Sequence, residues 1–198
     1  MRYYLFTYSF LALISCLFLS SCRNTQGFDK NVKELDSLKI VLVQSIDNFR
    51  SVDSLRCILA YQKNNSYGRF LDKNLKDTVT IKTAESLQLF YSTHNSIKSY
   101  VEMRGEWLRN ASISIKQLTT LSHDLKNGSV NTEEAIGYIN TEKKLAEKNI
   151  EELKQNTEII RAVLDTHTKY LPEVEELVKT LNKGVLPTLQ KVDLSNKH

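Results

Sequence analysis

Leu118-Thr119-Thr120-Leu121-Ser122-His123-Asp124-Leu125-Lys126-Asn127-Gly128-Ser129-Val130-Asn131-Thr132-Glu133-Glu134-Ala135-Ile136 decides the fold, because two apolar repeats meet there across a helix stop and a helix start. Asn127-Gly128 is the stop, since glycine takes the left-handed backbone conformation without a Cβ penalty. Asn131 is a capping residue, and Glu134 stands three positions on, where a capping box places its acid. A turn this short forces the flanking helices to run back along each other.

Upstream of the turn, a helix over about 84–126 carries a three-four stripe of Leu87, Phe90, His94, Ile97, Val101, Arg104, Leu108, Ala111, Ile115, Leu118, Ser122 and Leu125. Downstream, from the Asn131 cap to Leu171, the stripe is Ile136, Ile139, Lys143, Ala146, Ile150, Leu153, Thr157, Ile160, Leu164, His167 and Leu171. Folded antiparallel, they match in layers: Leu125 with Ile136, Ala111 with Ile150, Leu108 with Leu153, Val101 with Ile160, Ile97 with Leu164. Helices of about 40 residues extend roughly 60 Å at 1.5 Å per residue.

A third long helix is expected over 29–62, with Phe28, Val32, Leu35, Leu42, Ile46 and Phe49 on one face. Lys63-Asn64-Asn65-Ser66-Tyr67-Gly68 reads as its end, followed by a connector to about Lys82 whose Thr78-Val79-Thr80-Ile81 is the one strand-like fragment. Pro172 removes a backbone donor and crowds the preceding turn, so a separate short helix is expected over 172–182, stopping before Gly184. The chain has two prolines, both beyond residue 171, and strand-like alternation is scarce. The expected fold is all-α: an elongated antiparallel three-helix bundle, a coiled-coil-like hairpin plus the 29–62 helix, with a short C-terminal fourth helix. The alternative is a four-helix bundle in which the connector or the 172–182 segment supplies a fuller member.

The chain starts differently. Arg2 gives a positive n-region, Leu5 to Leu19 an apolar run, and Leu19-Ser20-Ser21-Cys22 small residues before a cysteine, after which Arg23-Asn24-Thr25-Gln26-Gly27 turns polar. This segment resembles the export signal of bacterial lipoproteins, with Leu19, Ser20 and Ser21 as the signal-peptidase recognition positions. Leu13-Ile14-Ser15-Cys16 also fits the pattern, but cleavage there would leave Leu17-Phe18-Leu19 beyond the cysteine. The resemblance covers only the N-terminus. It implies removal of residues 1–21, a diacylglyceryl lipid on the Cys22 sulfur, acylation of the new N-terminus, and a lipidated tether over 22–28 before one domain over 29–198. Because the residue next to the lipidated cysteine is Arg23 rather than Asp, it further implies the outer membrane of a two-membrane cell, and because no acidic run follows Cys22, its periplasmic face; in a one-membrane cell the anchor would be in the plasma membrane. An uncleaved anchor is disfavoured, since roughly 15 apolar residues fall short of the ~20 a spanning helix needs.

Composition narrows the function classes. There are 27 Lys and Arg against 23 Asp and Glu, a net charge of +4, interleaved along the chain, which gives no case for nucleic acid. Of three cysteines, Cys16 leaves with the signal and Cys22 takes lipid, so Cys57 is a lone thiol, expected to be buried. There is no Cys-x-x-Cys, no His-Glu-x-x-His and no glycine-rich phosphate loop. No catalytic residue is expected, and no cofactor beyond the covalent lipid.

Polar interruptions of the stripes give the remaining candidates. His94 falls opposite His167, Asp53 continues the stripe after Phe49, and the three form a candidate metal set, since imidazole and carboxylate suit zinc. A polar heptad position more commonly fixes register. Arg104, opposite Thr157, reads as a snorkelling or acid-paired arginine with Glu151, Glu152 and Glu158 within reach. Tyr100, Met103 and Trp107 form a second stripe, a partner surface if exposed and the side wall under the 29–62 helix if not. The function expected is therefore a membrane-anchored structural or protein-interaction module of the bacterial envelope, with an envelope protein as partner. The alternatives are a periplasmic ligand-binding or assembly factor and, third, a bundle-core metal-binding protein.

Overall fold

The computed structural model describes residues 27–76 and 78–191. Among them the chain is helical and contains no strand: α1 Asp29–Arg50, α2 Ser54–Asn74, α3 Ile81–Ser92, α4 His94–Lys126 and α5 Thr132–Leu181. Cys22, expected to carry the lipid, Leu19, Ser20 and Ser21, expected to be the recognition positions, and most of the expected tether lie outside the described residues. None of the described helices is long and apolar enough to cross a membrane.

α1, α4 and α5 pack on one another around a shared apolar core. The face expected on α1 is the buried one: Val32, Leu35, Leu42, Ile46 and Phe49. Side-chain bonds give each helix its direction. Glu34 pairs with Lys143 at 2.7 Å, and Asn48 accepts from Arg161 at 2.9 Å, so α1 runs alongside α5 in the same sense. Asp36 meets Ser122 and Lys126, whereas Phe49 lies against Tyr100 and Trp107, so α1 runs opposite to α4. Asn149 Nδ2 donates to Ser114 Oγ at 2.8 Å, joining α5 to α4.

The two long stripes are rotated from the expected heptads. On α4 the deep residues are Ile97, Tyr100, Trp107, Ala111, Ser114, Leu118, Leu121, Ser122 and Leu125, whereas Val101, Leu108 and Ile115 are half-buried. A helix with two neighbours buries a wider face than a two-helix seam, and the face extends toward α1. On α5 Ala146, Leu153, Thr157, Ile160, Leu164 and His167 are buried as expected and Ile150 is half-buried, but at its start Ala135 is buried and Ile136 is 51% exposed. A 3.6-residue helix drifts about 20° per heptad against a strict seven-residue repeat, enough to turn the first layer outward.

Three boundaries differ from the sequence reading. The 29–62 helix is broken at Ser51-Val52-Asp53, where Asp53 Oδ1 accepts from Arg56 N at 3.0 Å and starts α2 as its N-cap. The expected break at 63–68 is instead helical, because Asn64, Ser66, Tyr67 and Gly68 are buried in α2. At Gly68 a Cβ would come to 3.3 Å from Tyr91 Cε1, so glycine lets α2 and α3 approach. The 84–126 helix divides at Thr93, whose buried hydroxyl donates to Phe90 O. Thr78-Val79-Thr80-Ile81 is no strand: Thr80 caps α3 by accepting from Thr83 N, and Ile81 opens it.

Pro172 does not divide α5. The helix runs through it to Leu181, because Leu171, Val174, Leu177 and Val178 continue the apolar face into a second cluster with Tyr67, Leu71, Leu87 and Phe90. Packing here outweighs the propensity penalty. Asn131 caps α5 as expected, but its Oδ1 accepts from Glu133 N, while Glu134 accepts from Tyr138 OH. Lys183 and Gly184 then take positive φ of 53° and 86°, and the following segment lies back on α2, where Gln190 meets Ser66 and Arg69.

Candidate functional site

Polar side chains gather at two places on the molecule, the first shielded from water and the second around an open cleft. The first is the lobe built by α2, α3 and the end of α5. Cys57, Ala60, Asn64, Tyr67 and Leu71 form a three-four stripe on α2, and it faces inward. Tyr67 OH and Lys63 Nζ both donate to Glu175 Oε1, at 3.0 and 2.9 Å. Burial pulls Glu175 upward, but these two hydrogen bonds hold its carboxyl below the ordinary glutamate range. Asn64 Nδ2 donates to Thr93 Oγ1, and Ser86 donates to Glu173.

His167 belongs to this lobe. Its ring lies 5.1 Å from that of Phe90, and Nε2 is buried with no hydrogen-bond partner, as is Asn64 Oδ1. Burial, helped by the Lys63 and Arg56 charges, pushes the imidazole down to about 4. His94 is half-buried against Tyr61, with its imidazole also lowered by burial and by Lys98. Asp53 is occupied as a helix cap. Among the described residues no group of three His, Cys, Asp or Glu stands close enough to hold a metal ion, so Asp53, His94 and His167 do not assemble the candidate set.

The Tyr100-Met103-Trp107 stripe is not a free surface. Tyr100 is 2% and Trp107 9% exposed, and both rings pack on Phe49 of α1, at 5.4 and 5.9 Å between centroids. Met103 is half-buried against the same core. A third helix laid over the hairpin needs large side chains beneath it, and these supply them. Arg104 Nε donates to Tyr100 OH at 3.2 Å. Cys57 is fully buried, and burial raises its thiol to about 12, which suits packing rather than reactivity.

Comparison with protein-family models, with curated proteins and with solved structures returned no match. What the chain can do is therefore carried by its own geometry. Phe28 lines a cavity with Leu125 and the Gly128–Thr132 turn, so the start of α1 and the α4–α5 turn share one end. The α2–α3 lobe lies at the other end of α5, a 50-residue helix about 75 Å long. Ile81 at 82% exposure, Leu89, Tyr91, Leu181 and Val185 are exposed on that lobe.

The second polar gathering is a cleft between α4 and α5 beside their turn. It has a volume of about 490 Å³, with Leu121 and Val130 as apolar lining and Asp124, Tyr138, Glu142 and Lys116 as polar lining. Burial raises the Glu142 carboxyl above its ordinary range, and its Oε2 is buried without a partner among the described residues. The sequence reading passed over Glu142, which looks like one more surface acid in a Glu/Lys-rich helix. It also passed over Asn64 and Tyr67, although the three-four spacing from Cys57 to Leu71 was there to be read.

Proposed function

We propose that the chain is a lipoprotein anchored through Cys22 to a bacterial envelope membrane, acting as a non-enzymatic structural or protein-interaction module. In this reading it is an antiparallel three-helix bundle held upright by a short tether, with the α2–α3 lobe as its outer end. The arrangement of Phe28 beside the Gly128–Thr132 turn, with the lobe at the opposite end of α5, carries the reading. A tether of Arg23 to Gly27 reaches at most roughly 18 Å, so the Phe28 end would sit near the bilayer. The lobe would then be presented tens of ångströms away, its exposed Ile81, Leu89 and Tyr91 available to an envelope protein. The outer membrane, periplasmic face, is the compartment we favour, from the Arg23 position.

Support also comes from where polar chemistry is used. The ion pairs of α1 tie helices together, as in Glu34 with Lys143 and Asp36 with Lys126, which serves rigidity. The test is Cys22→Ala, which should abolish lipid labelling and leave an unprocessed precursor in the cell. In cells with native Cys22, crosslinking with and without Ile81→Asp should lose one defined captured envelope protein while circular dichroism stays unchanged. Lipid labelling that survives Cys22→Ala, or capture indifferent to Ile81, would remove the corresponding half of the reading.

A further inference from the structure

Three helix ends meet at the far end of the lobe. α2 runs alongside α5 in the same sense, since Arg56 donates to Thr168 Oγ1 at 2.7 Å and Lys63 to Glu175 at 2.9 Å, so Asn74, where α2 stops, lies by the end of α5. α3 runs the other way, with Phe90 against His167 and Ser86 bonded to Glu173, so its first residue, Ile81, lies toward that end too. Leu75 and Leu186, just past α2 and α5, pack into the same apolar cluster as Val178. The end face is therefore formed by the segments 72–82 and 179–185.

The charge of these segments is lopsided. They hold Lys73, Lys76, Lys82, Lys179 and Lys183 against Asp72 and Asp77, a net +3 where the whole chain carries +4. Lys73 and Lys179 stand in last turns, where a cation complements the helix dipole. That account does not reach the others: Lys76 and Lys183 are in no helix, and Lys82 is in the first turn of α3, where the dipole disfavours it. Lys82 comes only to 4.0 Å from Glu173, while Glu173 also accepts from Ser86 and Glu175 is taken by Lys63 and Tyr67. Glu85 and Glu176 are exposed lower on the lobe. Among the lysines Ile81, Leu181 and Val185 are bare to solvent.

We propose that this end face docks on an anionic lipid surface, its lysines on the headgroup phosphates and Ile81, Leu181 and Val185 at the acyl boundary. Ammonium groups around exposed aliphatic side chains match a bilayer interface, where charge attraction and apolar insertion add. A protein partner fits the face less well. Protein interfaces are anchored by aromatic rings and arginines and depleted of lysine, and these two segments hold five lysines, no arginine and no aromatic residue. The inference goes beyond the protein-interaction reading, which keeps Leu89 and Tyr91 further along α3; that the bilayer met is one facing the anchor rests on that reading.

The native chain is held by its own anchor in phosphatidylcholine nanodiscs and sedimented with vesicles of about 30% phosphatidylglycerol in phosphatidylcholine, pure phosphatidylcholine vesicles being the control. Saturable cosedimentation with the anionic vesicles alone is expected, falling steeply between about 50 and about 300 mM salt. Lys76→Glu with Lys183→Glu should weaken it about tenfold or more, and Val185→Asp several-fold, each with helicity unchanged by circular dichroism. Lys144→Glu with Lys148→Glu, exposed on the side of α5, makes the same change in net charge away from the end face and should leave binding unchanged. Should one end-face variant misfold, the other decides. Equal binding to both kinds of vesicle, binding to neither, full binding by the end-face variants, or an equal loss from the Lys144 and Lys148 changes overturns the proposal; binding to neither leaves the face to an acidic protein. A chain that does not enter the nanodiscs fails the anchored reading only, and is then sedimented free with the same vesicles against the same outcomes. None of these variants alters Ile81, so the result stays separate from that of protein capture.

Discussion

The bundle of α1, α4 and the first part of α5 and the lobe of α2, α3 and the end of α5 are built on different principles. The first is filled by Leu35, Leu42, Phe49, Ile97, Leu118, Ile139, Leu153 and Ile160, with few polar side chains, and those bonded to their own helix or to a neighbouring one. The second buries Asn64, Ser66, Ser86, Thr93 and His167 among its apolar residues and closes on the Lys63–Glu175–Tyr67 bonds. A periodic apolar core tolerates a shift in register at each layer, whereas paired polar groups admit one arrangement or none. The comparison teaches that the lobe holds its shape by matched bonds and will be the more sensitive to charge and pH.

The largest effect is expected in the bundle. Phe49→Ala removes a fully buried ring from beneath Tyr100 and Trp107 and should cost about 3–5 kcal/mol in urea unfolding followed by circular dichroism. Because Trp107 is the sole tryptophan, its fluorescence reports this region and not the lobe. A loss below about 1 kcal/mol would show that α1 is not held as described.

Acid should separate the two regions. The fold favours neutral His167, with its folded value about 4 against an ordinary 6.5. The stability it contributes is therefore complete above pH 6.5 and is lost as pH falls toward 4, on the order of 2 kcal/mol. His94 is lowered too and acts in the same direction; Glu175 and Asp36, held low, matter only once pH falls through the carboxylate range. Urea midpoints from pH 7.5 to 5 should fall by circular dichroism before Trp107 fluorescence responds, and His167→Leu should flatten the slope. A native midpoint independent of pH over that range would contradict the burial of His167.

Smaller effects test the joints. Glu175→Ala strips Lys63 and Tyr67 of their acceptor and should cost about 1–2 kcal/mol, seen in circular dichroism more than in Trp107 fluorescence. Asp53→Ala removes the α2 cap and should cost about 1 kcal/mol. If Asp53→Ala proved as damaging as Phe49→Ala, the residue would have a role beyond capping.

The sequence by itself determined the helical class, the α4–α5 turn, the buried face of α1, the Asn131 cap and the burial of Cys57, because spacing and end signals act over a few residues of chain. Tertiary structure decided the rest. Whether Tyr100 and Trp107 were wall or surface depended on α1 lying over them, and whether Pro172 ended a helix depended on the cluster that Val174 and Val178 had to join. Asn64 and Tyr67 looked like a loop because their composition is polar, and only α5 and Thr93 supplied the partners that keep them in a helix. Asp53 and the two histidines lay on three facing stripes on paper, but a break of three residues turned Asp53 into a cap. Local chemistry fixes what each segment prefers; the partners that satisfy a buried polar atom come from elsewhere in the chain, and period alone does not name them.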